Sequence, residues 1–313
     1  MKKLFKCITG LALAFAAFAS LSAEAAPSRV YMTKDISPAG LAAVYDALES
    51  KADGKNVAVK ISTGERGGHN FLSPDLIKGL VRSVKGTIVE CNTAYNGARA
   101  ATASHMEVAR AHGFTAIAKV DIQDAEGSLG LPVKNGKYFK ENLVGSHFKN
   151  YDYYVVISHF KGHAMAGFGG ALKNISIGIA SAKGKSRIHS GGKSDSSPWG
   201  GAQTAFLESM AEAGKSVVDS LGGKILYINV MNRLSVDCDC DGSPAEPDMH
   251  DIGILASLDP VALDKACVDL VYAAPDGKSL IERIESRNGA HVLAHGEKIG
   301  LGSRRYELVN IDK

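Results

Sequence analysis

Ile252-Gly253-Ile254-Leu255-Ala256-Ser257-Leu258-Asp259-Pro260-Val261-Ala262-Leu263-Asp264-Lys265-Ala266-Cys267-Val268-Asp269-Leu270 is the stretch that decides the fold class. Its first residues form an apolar run of strand length. Asp259 then stands where a helix N-cap belongs, and Pro260 where the first helical residue belongs. Leu263, Ala266, Cys267 and Leu270 recur on one helical face, so a helix is expected over 260–272. A strand that feeds directly into a helix is the repeating unit of α/β folds.

The same alternation runs outward from this unit. Strands are expected at 57–61, 87–90, 116–122, 153–158, 224–230 and 252–256, and helices at 74–84 and about 101–112. The fold expected is α/β: an open, mostly parallel sheet with helices on both faces, in Rossmann-like layers. Residues 26–313 read as a single α/β domain. Residues 184–201 are rich in Gly, Ser and Lys and read as a flexible loop.

Residues 1–25 read as a cleavable signal peptide. Lys2, Lys3 and Lys6 precede an uncharged apolar run, and Ala23-Glu24-Ala25 supplies the small residues at a cleavage site. The run falls short of the ~20 apolar residues that span a bilayer. A periplasmic or secreted location follows, with no stable membrane insertion after removal of the leader. Without the leader the two charge signs are nearly balanced, which gives no electrostatic case for nucleic acid. Composition leaves the oligomeric state open.

Ligands in open α/β sheets bind at the carboxyl ends of strands, so the candidate site is the set of loops after Ile61, Glu90, Ser158, Val230 and Ala256. Three segments carry candidate chemistry. The first runs from Ser158-His159-Phe160-Lys161-Gly162-His163 to Gly170-Ala171-Leu172-Lys173-Asn174 and places imidazoles and amines beyond a strand's carboxyl end. The second, Asp237-Cys238-Asp239-Cys240-Asp241-Gly242, alternates carboxylates with thiols. Its Cys-x-Cys spacing is unlike ordinary zinc motifs, so metal ligation and thiol redox chemistry both stay open. In the third, Gly64 to Asn70, a glycine-rich loop could cradle an anion with help from Lys60 and Arg66.

These segments resemble the family called domain of unknown function 362. The resemblance rests on the 159–174 segment, on Asn229-Val230-Met231-Asn232 with the cysteine loop, and on Asp251 to Asp264. Many similar members carry a ferredoxin-like insert. Here the stretch 190–206, where it would lie, has no Cys, so four-iron clusters of the ferredoxin type are not expected.

The functional expectation is an exported, metal-dependent enzyme, with oxidoreductase as the candidate class, acting on a small anionic substrate. Lys161, His163 and Lys173 are the catalytic candidates. Lys60, Arg66, His69, Asn174 and Arg187 are the substrate-binding candidates. His159, His163, Cys238 and Cys240 would hold a metal ion, with iron or zinc foremost. A non-catalytic metal or anion carrier and a Cys238/Cys240 redox protein are the alternatives.

Overall fold

The computed structural model describes residues 26–312. The signal-peptide expectation falls on residues outside that range. Among the described residues the strands are β1 (Ser28–Thr33), β2 (Val57–Lys60), β3 (Thr87–Glu90), β4 (Val120–Ile122), β5 (Ser128–Pro132) and β6 (Glu141–Gly145). They continue with β7 (Tyr153–His159), β8 (Lys161–His163), β9 (Gly167–Gly169), β10 (Ile225–Met231), β11 (Gly253–Ser257) and β12 (Tyr306–Asn310). One eight-stranded sheet runs in the order β12-β1-β11-β10-β7-β2-β3-β4.

Five neighbours, β10-β7-β2-β3-β4, are parallel throughout. β11 runs antiparallel to both β10 and β1. The sheet is therefore mixed and mostly parallel, as expected. Both of its faces are covered. Tyr154, Val156 and Tyr227 point into one apolar core, and Tyr153, Val155, Ile157, Leu226 and Ile228 into the other. A central parallel strand must be apolar on both sides for this to hold, and β7 and β10 are buried at every position.

Strand order reverses beside β2. The chain moves outward through β3 and β4, then returns to place β7 on the opposite side of β2. Loops leaving β2 and β7 diverge there, and a crevice opens at the carboxyl edge.

Two expectations are corrected. Residues 184–189, read as loop, belong to the helix Ala182–His189. Ser181 caps it, accepting from the Gly184 amide, and Ile188 is buried, so one apolar anchor and a good cap outweigh the polar composition. The 252–256 strand is present as β11, but its carboxyl end faces away from the crevice because it runs antiparallel. Asp259 there caps the helix Pro260–Ala273 and also accepts from Ser28 Oγ and the Ser303 amide, a structural role.

Candidate active site

The crevice deepens into a cavity of about 360 Å³ at the β2/β7 switch point. Lys60 ends β2 and Glu90 ends β3, in adjacent parallel strands. Lys60 Nζ donates to Glu90 Oε2 and to Asn174 Oδ1, each at 2.9 Å. Burial alone would raise the Glu90 carboxyl, but the Lys60 ammonium and the Arg99 guanidinium prevail and hold it at about 2. Arg99 also faces Glu65, 3.5 Å away.

β7 delivers His159, and the β8–β9 hairpin that follows delivers Lys161 and His163. The two histidines therefore sit on extended chain, not on one turn of helix. His159 Nδ1 bonds to Asp239 Oδ1 and Nε2 to the Asn232 carbonyl, both at 2.7 Å. Both partners are acceptors, so neither ring nitrogen has a lone pair to give a metal. The metal role expected of His159 is replaced by a charge clamp. Lys161 Nζ completes it, donating to Asp239 Oδ2 at 2.8 Å and to the His159 carbonyl. Burial opposes the Asp239 charge, yet Lys161 and His159 hold the carboxyl far below the usual range.

The helix Ala171–Ser176 brings Lys173 and Asn174 to the same cavity. Asp264, on the helix Pro260–Ala273, caps it from a distance, accepting from the Ala171 and Leu172 amides at 2.8 and 2.9 Å. Among the described residues Lys173 forms no ion pair. Burial, reinforced by Lys161, pushes its ammonium down to about 7. Acylation of Lys173 by an amine-directed reagent should therefore be half-maximal near pH 7. Exposed lysines should react only toward pH 10, and peptide mapping across a pH series would show both.

His163 is buried, and burial followed by Lys173 drives its ring well below the ordinary value. Its Nδ1 accepts from the Met165 and Ala166 amides, so the neutral ring carries its proton on Nε2. Cys238 and Cys240 are joined by a disulfide. One His163 nitrogen and the two sulfurs lie within 4.8 Å of one another, a candidate metal-binding group. To ligate, the pair would first have to be reduced and the His163 tautomer reversed.

The other expected residues separate. Lys60 and Asn174 line the cavity, whereas Arg66 lines a second cleft on the far side of the disulfide. His69 pairs with Glu246 at the surface, and Arg187 with Asp195 and the Glu141 carbonyl. The glycine loop packs on the cysteine loop. The Glu65 amide donates to the Asp239 carbonyl at 2.7 Å. A Cβ on Gly67 or Gly242 would lie 2.7 or 2.6 Å from the opposing carbonyl oxygen. Gly67 also has φ +87°, a conformation that suits glycine.

Two cavity residues carry no sequence signal of their own. Arg99 and Lys185 come from outside the motifs. His189 stacks on Phe206 with centroids 5.0 Å apart, and its Nδ1 donates to the Lys185 carbonyl, which leaves Nε2 as an acceptor. Trp199, the single Trp of the chain, stands at the cavity with 64% of its surface exposed.

The sequence model of the family described as Domain of unknown function (DUF362) matches residues 57–269. The chain belongs to the DUF362 family. The matched region holds every side chain of the cavity and both cysteines. No curated protein matches the chain. Among solved structures, the lactate racemase apoprotein from Thermoanaerobacterium thermosaccharolyticum aligns at 17% identity and TM-score 0.41, over 65% of this chain and 50% of that one. A structural-genomics protein from Thermotoga maritima aligns at 16% identity and TM-score 0.42, over 74% of this chain and 57% of that one. This DUF362 chain thus spans half the length of the first and 57% of the second.

Proposed function

We propose that the cavity is an active site for a small anionic substrate and that Lys173 moves a proton there. The observation that carries this reading is the charge balance of the cavity. Lys60, Arg99, Lys161, Lys173 and Lys185 line it against only Glu90 and Asp239, and Lys173 is left without a counter-ion. An amine serves binding best when fully charged. One brought to about 7 by its surroundings is poised between acid and base, the condition for general acid–base catalysis. Lys60 and Asn174 would orient the anion, and the His159–Asp239–Lys161 clamp would hold the opposite wall.

Titration with phosphate, sulfate and malonate, followed by Trp199 fluorescence, tests the reading. Binding should weaken as pH rises through about 7, where Lys173 loses its charge. Turnover should rise through the same range, because the neutral amine is the base. Lys173→Met should weaken binding below that pH by about 10- to 100-fold, the worth of one charged hydrogen bond. Absence of any anion binding by the parent protein would refute the reading.

A metal-assisted form of the same reaction is favoured by one observation, the proximity of His163 to both sulfurs. Iron or zinc found by elemental analysis in reduced protein only, and lost in a Cys238→Ser/Cys240→Ser variant, would support it. We also place the reaction outside the cytoplasm, on the leader-like residues 1–25. N-terminal sequencing of the exported protein tests cleavage after Ala25.

A further inference from the structure

The disulfide stands between two spaces. Cys238 and Cys240 line the inner cavity and also an outer cleft of about 620 Å³, a volume suited to a small molecule. The two sulfurs are not equivalent. Cys238 is 5% exposed, while Cys240 is only half-buried. The Cys240 amide donates to Cys238 Sγ at 3.2 Å, a bond that favours negative charge on that sulfur. The loop around them is pinned, so the sulfurs stay paired. The Asp241 amide donates to the Cys238 carbonyl at 2.9 Å, Tyr95 Oη to the Cys240 carbonyl, and the Glu65 amide to the Asp239 carbonyl between them.

We propose that Cys238–Cys240 is a working disulfide, reduced from the outer cleft by a low-molecular-weight dithiol that attacks Cys240 and expels Cys238. This goes beyond the anion-site reading and does not depend on it. In the first step a thiol of the reductant loses its proton. Its sulfur bonds to Cys240 Sγ as the Cys238–Cys240 bond breaks. Cys238 leaves as a thiolate beside the Cys240 amide and takes up a proton. The second sulfur of the reductant then attacks the first, closing a cyclic disulfide and releasing Cys240 as a thiol. Two electrons and two protons pass from the dithiol to the protein.

The full chain incubated with dithiothreitol, alkylated and mapped by mass spectrometry, tests the proposal. Cys238 and Cys240 should become alkylated together at millimolar dithiothreitol, with circular dichroism unchanged and Cys91 and Cys267 unlabelled. In single variants, the thiol left by Cys238→Ser should form a mixed disulfide with an aromatic disulfide reagent about tenfold faster than that left by Cys240→Ser. A pair that resists reduction until the protein unfolds would overturn the proposal, and equal rates in the two variants would overturn its direction. The first arm uses the parent protein and needs no variant to fold. Reduction only by a dithiol protein, and not by dithiothreitol, would rule out the small-molecule reductant.

Discussion

Asp239→Ala should destabilise the protein by about 3–5 kcal/mol, the usual cost of removing one member of a buried ion pair. Asp239 is the one carboxylate facing both His159 and Lys161. Without it His159 Nδ1 has no acceptor, and Lys161 keeps only the His159 carbonyl. Two buried donors, one of them the Lys161 ammonium, would then lack an acceptor or a counter-ion in a space that is already rich in positive charge. Urea unfolding monitored by circular dichroism measures the loss, and a change below about 1 kcal/mol would mean that water reaches the clamp and replaces the carboxylate. The pH dependence adds a second check. The Asp239 carboxyl is depressed in the folded state, so its contribution is present above the unfolded value near 4 and declines as pH falls below it. The variant should lose that part of the acid slope.

Asp264→Ala should cost a similar amount, about 3–5 kcal/mol, for a different reason. Three donors converge on this carboxylate: the Ala171 and Leu172 amides and the Asn229 side-chain amide, at 2.7 to 2.9 Å. All are buried, and each one left unpaired costs about 1–3 kcal/mol before relaxation. Asp264→Asn should not restore stability, because its amide would present a donor to one of those donors. Burial pushes the Asp264 carboxyl up to about 6. An acid raised in the folded state binds its proton more tightly there than in the unfolded chain. This contribution to stability therefore falls as pH rises from about 4 through about 6, and is flat above. Both variants should lack that fall. Because the capped helix carries Lys173 and Asn174, anion binding should weaken as well, and the same fluorescence titration would show it.

Much of the fold is legible in local sequence. The strand expected at 87–90 is found as β3, and the helices expected at 74–84 and 260–272 match Pro74–Ser83 and Pro260–Ala273 within a residue or so. Their apolar periodicity, caps and turn residues lie within a dozen positions of one another. The strand expected at 116–122 shrinks to β4, because 114–117 winds into a short helix. β1 and β12 carry no such local signal. They pair with each other across almost the whole chain, Ser28 opposite Tyr306, and that contact is visible only once the sheet is assembled.

The site divides in the same way. Strand-end logic brings Lys60, His159, Lys161, His163, Lys173, Asn174, Cys238 and Cys240 to one cavity from four separate segments. It fails at the end of β11, where reading the loop after Ala256 into the site requires a strand direction that sequence does not reveal. It also misjudges His159. Residue type marks a histidine as a ligand candidate, but the two acceptors that occupy its nitrogens come from residues 232 and 239. Glycine-rich loops often cradle anions, which in sequence groups Arg66 and His69 with the anion site. Here the glycines serve close backbone approach instead.

That close approach sets the unit that a protein engineer could move. The Gly64–Gly68 turn and the cysteine loop touch backbone to backbone, with Gly67 facing the Gly242 carbonyl, Gly242 facing the Arg66 carbonyl and the Glu65 amide bonded across the join. A graft of the cysteine loop alone onto another scaffold would leave its inner surface without a template. The heritable module is the pair of loops, so insertions, recombination breakpoints or side chains larger than hydrogen at the seam would be selected against together, despite their distance along the chain.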